Sequence, residues 1–521
     1  MTYILGINSS HDGSVALFKE QTLLGTITKE RITRIKKHTN GNYKPLIEKL
    51  LNDHNLSLTD IEYIAYNDHY LSENSYLDLL PYSNIYGNLK PYTIPVDEYI
   101  NYNLAEKKVY AINHHLGHSS YSFYTSNFNK AVCVSLDGSP HEYSLISLGN
   151  GTEIKKYSKH NDINSSILYD WFTYYIIGNP LYKSGTVMGL AAYGDILSFD
   201  YKKYSGVNYQ KYWKELSGNE PIEYINTNTK ILKKDMDMSA TLQFIFEKQI
   251  IDYINSIPDD IVNEYNHNLC LSGGTFLNCN LNSKIKKQTK FKNIHIAPAC
   301  GDDGLSVGYG LYLAHNILGY PRINYNEKEL MYSGPKYSID YNYEDLDVKF
   351  IADMISKGKV VGLFQGRSEF GPRALGNRSI IADPRSKTIK DYINQEIKNR
   401  EWFRPFGATV LYEYADQWFD VDDHSPFMLY TYNVKNPKKI PAVCHRDNSC
   451  RIQTLKKSTN ELFYNIINEF KNLTGIPLLL NTSFNGADEP IVETPDDAIR
   501  FFDKSKIDIL ILENKMIVKN E

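Results

Sequence analysis

The sequence predicts an α/β protein in two parts, a duplicated domain over residues 1–340 and a second α/β domain over residues 348–521. Two observations carry this prediction. A pattern of strand, Asp-Gly turn and strand occurs twice, with helices between the copies and a strand-Gly-Gly-helix unit after them. Residues 333–347 are polar and contain Gly and Pro, and a new alternation of strands and helices begins beyond them at VVGLFQG.

The first copy begins with three predicted strands, YILGI, GSVALF and TLLGTITKE, which tight turns join into an antiparallel meander. A helix is expected near residues 45–53 and a short strand at IEYIAYN. Residues 68–105 are polar, rich in Tyr and Asn, and lack a clear periodicity. We interpret this segment as an insertion on the substrate side.

The second copy opens with strand KVYAIN and helix HHLGHSSYSFYTS, followed by strands AVCVSLDGS and EYSLISLG. Helices are expected to dominate from about residue 165 to 265. Strand LCLSGG then enters a helix, and strand NIHIAP precedes the glycine-punctuated segment GDDGLSVGYGLYLAHNI. The strand-turn-strand pattern has thus restarted, which indicates a duplication.

Composition excludes several classes of protein. Lys and Arg number 57 and Asp and Glu 61, and the net charge of −4 argues against a globally basic nucleic-acid binder. No stretch approaches the roughly 18 apolar residues that a spanning helix needs, and the N-terminus lacks the regions of a signal peptide, so we expect a cytoplasmic protein without membrane contact. The six cysteines are scattered singly and are expected to be reduced core residues. Most of the 42 tyrosines we attribute to compositional bias, the 68–105 segment excepted.

The motif NHHLGH predicts a metal site. His114 and His118 stand four residues apart on a predicted helix, so both imidazoles lie on one face. Asp137 in SLDG and Asp302 in GDDG follow strands and supply candidate oxygen ligands. Mixed imidazole and carboxylate ligation favours a divalent metal such as iron, manganese or zinc. His115, on another face, is secondary.

Three turns suit phosphate oxygens because turns of this kind leave backbone amides exposed. They are HDG at 11–13, DGS at 137–139 and SGGT at 272–275. Their order resembles the phosphate-1, phosphate-2 and adenosine segments of the actin, sugar-kinase and Hsp70 superfamily. His11 next to Asp12 also suggests acid-base chemistry, with a simple turn cap as the alternative.

Cations concentrate among glycines and aromatic residues in the C-terminal part. They are Arg367, Arg373, Arg378, Arg385, Lys398, Arg400 and Arg404. Guanidinium groups bind phosphates bidentately, so this block predicts a site for a polyanionic small molecule, although Lys398 and Arg400 could also be solvated helix charges. HRDNSCRIQ adds His445, Asp447 and Arg451, and an apolar strand ends in Asn481, Thr482, Ser483 and Asn485.

Taken in order, these motifs resemble the NodU/CmcH family of O-carbamoyltransferases nearly end to end. The resemblance rests on HDG, ERITRIKKH, NHHLGH, SLDG, VMGLAAYG, LSGGTFLNCNLN, GDDG, EFGPRALGNRSI, REWFRPF and LLNTSFN. Where it leads us to expect EGKVMGLAPYG, this chain has Ser184, Thr186 and Ala192, and Asn448 stands where Gly is usual.

The resemblance implies an N-terminal domain of the actin-like/Hsp70 superfamily, similar to the threonylcarbamoyl transferase fold, and a C-terminal YrdC-like domain. It implies ATP, with Mg²⁺, and carbamoyl phosphate as co-substrates. In the YrdC-like domain these give carbamoyl-adenylate, phosphate and pyrophosphate. In the N-terminal domain a hydroxyl of a small-molecule acceptor, such as a sugar, nucleoside or specialised metabolite, attacks the intermediate and releases AMP.

Site residues follow from the resemblance position by position. The metal ligands are His114, His118, Asp137 and Asp302, with iron expected first and zinc or manganese as alternatives. His11 matches the proposed base, beside Asp12. The resemblance implies nucleotide and carbamoyl binding by Gly273, Gly274, Asn278, Lys398, Arg404, Arg451, Asn481 and Ser483, and the DGS turn and the cation block add Gly138, Arg373 and Arg400.

Three other functions stay open at this point. A tRNA threonylcarbamoyladenosine-type modification enzyme shares both domain types, but the net charge counts against a tRNA substrate. A regulator that binds metal and nucleotide without turnover would retain the fold, and a sugar kinase would produce ADP. A homodimer is the expected assembly, because cyclic dimers are the commonest.

Overall fold

The computed structural model describes residues 1–38, 42–67, 107–138, 144–159, 163, 165–177, 180–197 and 231–519. The tyrosine-rich segment 68–105 lies outside the described residues. Among those described, the strands form two five-stranded sheets and one nine-stranded sheet.

The first sheet contains the predicted meander and the two strands that follow it. Its strands are β1 (Tyr3–Asn8), β2 (Ser14–Lys19), β3 (Thr22–Thr28), β4 (Ile61–Asn67) and β5 (Lys108–Ile112). They lie in the order β3-β2-β1-β4-β5, with β1, β4 and β5 parallel and the first three antiparallel. β1 and β2 are buried over nearly their whole length, because both faces of this sheet are covered.

The second sheet repeats the first. Its strands are β6 (Lys130–Leu136), β7 (Ser144–Asn150), β8 (Glu153–Lys159), β9 (Asn268–Ser272) and β10 (Asn293–Ile296). The order β10-β9-β6-β7-β8 has the same connections and strand directions as the first sheet. The predicted duplication of an α/β unit is therefore confirmed.

The third sheet is mixed and forms the second part of the chain. Its strands are β11 (Glu344–Asp345), β12 (Val361–Phe364), β13 (Arg378–Ala382), β14 (Gly407–Leu411), β15 (Thr431–Asn433), β16 (Ser449–Leu455), β17 (Leu478–Ser483), β18 (Ile509–Leu512) and β19 (Lys515–Val518). They lie in the order β11-β19-β18-β12-β13-β17-β14-β16-β15. An α/β second part was predicted, but this strand order was not.

Helices cover the three sheets. In chain order they are Lys29–Thr33, Lys44–Asp53, His114–Tyr124, Ser165–Ile177, Pro180–Leu190, Lys233–Asn255, Asp259–Glu264, Cys279–Gln288, Leu305–Leu311, Glu327–Met331, Val348–Ser356, Lys387–Tyr392, Ala415–Trp418, Glu461–Thr474 and Pro495–Lys504. Shorter 3-10 or π-helical turns occupy Leu58–Asp60, Ala191–Tyr193, Gly274–Leu277, Asp302–Gly304, Tyr312–Ile317, Ile393–Ile397, Tyr412–Tyr414 and Pro437–Lys439.

The buried apolar residues form separate cores. The core of the third sheet takes its buried members from residues 351–516, whereas the first two sheets pack around their own clusters. All six cysteines are free, five of them buried and Cys444 half-buried, as the sequence predicted. Within the described residues, no helix has both the length and the apolar character that crossing a bilayer requires.

Charged contacts join the two parts of the chain across a buried interface. Arg31 Nη1 lies 3.6 Å from Glu493 Oε2, and both side chains are almost wholly buried. Arg34 donates to the carbonyls of Ile491, at 2.7 Å, and Pro490, at 2.8 Å. The segment just after Arg34 is therefore held against the C-terminal part.

Candidate active site

Four side chains predicted to bind a metal converge at the ends of the first two sheets. Helix His114–Tyr124 follows β5, and the side chain of Asn113 caps it by accepting from the amide of Leu116 at 3.2 Å. His114 and His118 occupy one face of this helix, while Asp137 directly follows β6 and Asp302 begins a turn. Their ligand atoms all lie within 4.8 Å of one another, and all four residues are buried.

Neighbouring groups orient this metal quartet, which consists of His114, His118, Asp137 and Asp302. His118 Nε2 is 3.2 Å from both Asp137 Oδ2 and Asp302 Oδ1, and its Nδ1 is 3.3 Å from Ser272 Oγ. Asn8 Nδ2 donates to the backbone oxygen of Asp302 at 2.8 Å. Such outer contacts set ring tautomer and carboxylate orientation.

The quartet fits a divalent metal. The contacts of His118 Nε2 with Asp137 Oδ2 and Asp302 Oδ1 are ion pairs at 3.2 Å that lack hydrogen-bond geometry, so His118 Nε2 and Asp302 Oδ1 are left unsatisfied as donor and acceptor among the described residues. Burial lowers the pKa of His118, but the carboxylates of Asp137 and Asp302 outweigh this and raise it to about 9. Two anions facing one imidazole thus favour a cation here. Two imidazoles and two carboxylates form a donor set that iron, manganese and zinc share.

His11 links this quartet to the first turn. Its Nδ1 is 3.2 Å from Asp12 Oδ2, its Nε2 is 3.2 Å from Asp302 Oδ2, and Lys37 Nζ is 3.4 Å from Asp12 Oδ2. The charge of Asp302 contributes most to the pKa of His11, burial opposes it and Asp12 adds to it, so that this pKa is raised to about 10. His11 stands beside the candidate metal ligands and with this pKa is protonated at neutral pH, so its role as a base stays a prediction.

The glycine turns hold Asp137 in place. The amides of Gly138 and Gly274 donate to its two carboxylate oxygens at 2.6 and 2.7 Å, so the donors predicted for phosphate bind a candidate metal ligand in this structure. Gly273 adopts φ +107° and donates to the carbonyl of Cys300 at 2.7 Å. Asn278 caps helix Cys279–Gln288 by accepting from the amide of Leu281 at 3.1 Å.

Four arginines form a second cluster, which we call the arginine cluster: Arg373, Arg400, Arg404 and Arg451. Arg373 Nε, Arg400 Nη2 and Arg451 Nε are buried without a hydrogen-bond partner among the described residues. Burial and the neighbouring guanidinium groups lower the pKa of Arg373 to about 10 and hold that of Arg400 well below its usual value. Guanidinium groups stay charged at neutral pH, so the cluster fits a polyanion that would relieve the repulsion.

The remaining predicted residues of the C-terminal part stabilise strand β17. Lys398 is buried, and its ammonium donates to Asn485 Oδ1 at 2.7 Å, to the Asn485 carbonyl at 2.9 Å and to the Ser483 carbonyl. Asn481 Nδ2 donates to Thr409 Oγ1 at 2.9 Å, while Asn481 Oδ1 is buried without a partner among the described residues. Lys398 is therefore a buried residue that holds Ser483 and Asn485 by hydrogen bonds, and the alternative of a solvated charge on a helix is wrong for it.

Three of the cations grouped by the sequence serve the fold instead. Arg367 donates to the carbonyls of Gly334 and Ser333 at 2.7 and 2.6 Å. Arg378 is fully buried with its guanidinium 3.6 Å from the ring centroid of Phe364. Arg385 pairs with Asp383. The concentration of cations in the sequence therefore predicted more anion-binding residues than the structure places at the cavity.

One cavity of about 690 Å³ joins the two sites. Its lining includes His11, His114, Asp137 and Asp302 as well as all four members of the arginine cluster. The cavity wall also contains residues that the sequence did not single out as ligands: Glu30, Lys36, Lys37, Asp170 and Asp303. The motif ERITRIKKH contained a signal for the two lysines, whereas nothing in the sequence marked Asp170.

Comparison with protein families gives two matches, Carbamoyltransferase N-terminus over residues 3–311 and Carbamoyltransferase C-terminus over residues 352–519. The chain belongs to the carbamoyltransferase family. This carbamoyltransferase is 32% identical to an uncharacterized protein of Synechocystis sp., over 100% of this chain and 97% of that protein. It is also 32% identical to nodulation protein NolNO of Sinorhizobium fredii, over 98% of this chain and 79% of that protein.

These matches confirm the family and the enzyme class that the motifs predicted, so the protein is a transferase of carbamoyl groups. Among solved structures, component A of (R)-2-hydroxyglutaryl-CoA dehydratase from Acidaminococcus fermentans is similar to 60% of this chain and to 97% of its own length. The identity is 12% and the TM-score 0.35. A likeness this distant has no bearing on activity.

Proposed function

We propose that this carbamoyltransferase is ATP-dependent, forms carbamoyl-adenylate from carbamoyl phosphate and ATP, and transfers the carbamoyl group to a hydroxyl of a small-molecule acceptor. One observation carries the proposal: three members of the metal quartet, His114, Asp137 and Asp302, line the same cavity as the whole arginine cluster. In this proposal residues 1–340 form an actin-like transfer domain and residues 348–521 a YrdC-like domain that makes the adenylate.

The arginine cluster serves the first step. Carbamoyl phosphate loses its phosphate to water, and an oxygen of the resulting carbamate attacks the α-phosphorus of ATP, so that pyrophosphate leaves and carbamoyl-adenylate remains. Three mutually repelling guanidiniums with unpartnered buried N–H groups would bind the phosphate oxygens and gain most when negative charge accumulates on them. Mg²⁺ would accompany ATP, as it does in most ATP sites.

The metal quartet serves the second step. A divalent metal, for which we propose iron, would act as a Lewis acid toward the carbamoyl or phosphate oxygens. The acceptor oxygen bonds to the carbamoyl carbon, and the bond from that carbon to the AMP oxygen breaks. Asp302 contributes most to the raised pKa of His11, so a metal bound by Asp302 would lower that pKa and leave a neutral His11 to take the hydroxyl proton. Asp12 Oδ2, 3.2 Å from His11 Nδ1, would hold the ring in the orientation that proton transfer needs.

A shared cavity suits a reactive intermediate. Carbamoyl-adenylate is an activated anhydride that water hydrolyses, so a site that excludes bulk water limits its loss. The intermediate would stay within one volume of about 690 Å³ between its formation and its use.

The test is product analysis. The purified protein is incubated with ATP, carbamoyl phosphate, Mg²⁺ and Fe²⁺, and pyrophosphate, AMP and ADP are measured for the wild type, Arg404→Ala and Arg385→Ala. Arg385 is the matched control, because it pairs with Asp383 and lies outside the cavity lining. We expect pyrophosphate from the wild type and from Arg385→Ala, and none from Arg404→Ala.

Two other results would redirect or refute the proposal. Release of ADP without pyrophosphate would favour a kinase. Absence of both products from a folded, metal-loaded wild type would refute ATP-dependent adenylate formation.

A further inference from the structure

Two departures from the expected family motif both contact charged residues of the cavity wall. Ser184 and Thr186 lie on helix Pro180–Leu190. Ser184 Oγ donates to Asp170 Oδ1 at 3.3 Å. The guanidinium of Arg404, 218 residues further along the chain, donates through Nη1 to Thr186 Oγ1. Neutral hydroxyls thus face a carboxylate and a guanidinium where the motif leads us to expect Glu and Lys.

The segment that carries Arg404 packs closely on this helix. A Cβ at Gly189 would lie 3.2 Å from Pro405 Cδ. The ring centroid of Tyr193 is 5.1 Å from that of Trp402 and 6.4 Å from that of Phe403. These contacts bring the backbones of the two segments together around Thr186, which is fully buried. A threonine in a helix is restricted to two χ1 rotamers, and in the one seen here the hydroxyl of Thr186 faces Arg404.

Among the described residues, the other side-chain contact recorded for the guanidinium of Arg404 is an ion pair with Glu401. Glu401 Oε2 lies 3.6 Å from Nη1, which is beyond hydrogen-bonding distance, so this contact is less directional than the one to Thr186. Burial lowers the pKa of Arg404, Glu401 opposes this, and Arg451 lowers the pKa further by repulsion. A group repelled by its neighbours moves away from them unless a directional contact restrains it.

We propose that Thr186 is a positioning residue that aims Arg404 at the phosphate of an anionic co-substrate, an inference that rests on the proposed role of Arg404 in adenylate formation. A hydroxyl holds the guanidinium without neutralising it, so the positive charge stays available to the ligand. A carboxylate would compete with the phosphate, and an ammonium would repel Arg404. Threonine is therefore suited to orient a cation whose charge must be kept.

The experiment compares a variant without the hydroxyl, Thr186→Val, with Thr186→Ser, which keeps it. Thr173→Val is the matched control, because Thr173 is equally buried on the adjacent helix and its hydroxyl donates to the carbonyl of Tyr169 at 2.8 Å within that helix. KM and kcat of pyrophosphate release are measured for ATP and carbamoyl phosphate, and the Kd of ATP by titration calorimetry. Thermal unfolding verifies folding, and Thr186→Ala replaces the valine variant if that variant does not fold.

For Thr186→Val we expect the KM of at least one co-substrate to rise about tenfold or more, the loss typical of a hydrogen bond to a charged group. Thr186→Ser should stay within about twofold of the wild type, and Thr173→Val should leave both KM values unchanged. Equal kinetics of Thr186→Val and wild type would overturn the inference. So would equal losses in the valine and serine variants, because packing and not the hydroxyl would then be responsible.

The same measurements separate this inference from the proposed function. If the wild type binds ATP but releases no pyrophosphate, the proposed function fails, while the ratio of the ATP Kd values still decides the role of Thr186. If the wild type binds neither ATP nor carbamoyl phosphate, both fail.

Discussion

Replacement of Gly273 by alanine should distort the metal quartet through its backbone. Gly273 has φ +107°, a region that L-residues rarely adopt, and a Cβ there would lie 2.0 Å from the carbonyl oxygen of Leu136. Backbone strain of this kind costs about 1–3 kcal/mol, and overpacking adds about 1–3 kcal/mol. We therefore expect Gly273→Ala to lose about 2–6 kcal/mol of unfolding free energy. Since Leu136 precedes Asp137, relief of the overlap would move a metal ligand.

The matched control for this prediction is Gly151→Ala. Gly151 also has positive φ, +60°, but a Cβ there meets nothing within 4 Å, so this variant should lose only the backbone term of about 1–2 kcal/mol. Urea unfolding gives the free energies, and elemental analysis gives bound metal per chain. Gly273→Ala should lose bound metal and Gly151→Ala should keep it. Equal stability of the two variants with full metal occupancy in both would refute the reasoning.

Three further changes test the charges of the site and the core. His114→Ala should reduce bound metal and carbamoyl transfer while pyrophosphate release continues; equal loss of both steps in a folded variant would contradict their separation. Arg451→Met should raise the KM of an anionic co-substrate about tenfold. Because it removes one of several cations that repel each other, the midpoint of urea unfolding should stay equal or rise, and a lower midpoint would contradict that repulsion. Burial lowers the pKa of His315 to about 4, so protonation of the unfolded state should reduce stability as pH falls from about 6.5 to 4. His315→Gln should show a shallower loss in urea unfolding across that range, and an unchanged slope would exclude His315 as the cause.

Local patterns were sufficient for most of the duplicated part. Strands β1 to β3 appear where apolar runs and turn residues predicted them, and helix His114–Tyr124 begins after Asn113. The i, i+4 spacing of His114 and His118 places both rings on one face whatever the rest of the fold does. Asp137 directly follows strand β6 and Asp302 begins a turn, so the sequence also marked the two carboxylates of the metal quartet.

Long-range placement was not predictable from one sequence. Arg378 and Arg404 look alike in a segment rich in cations, yet Arg378 is fully buried over Phe364 while Arg404 lines the cavity. The strand order of the third sheet determines these different locations, and composition and periodicity do not reveal that order. Asp170 was missed for the same reason, because its proximity to Ser184 depends on how two helices pack.

The interface between the two parts argues for a cavity that is assembled before substrates bind. Arg31 and Glu493 are paired where both are almost fully buried, and removal of one partner from such a pair costs about 3–5 kcal/mol because the other charge stays buried. Arg34, three residues further on, donates to two carbonyls of the C-terminal part, and Lys36 and Lys37 of the cavity wall come after Ile35. Separation of the two parts would break these contacts and divide the cavity lining, because Lys37 pairs with Asp12 of the first part whereas the arginine cluster belongs to the second. In the reaction that we propose, diffusion of the intermediate inside a fixed volume would therefore serve its transfer better than domain opening.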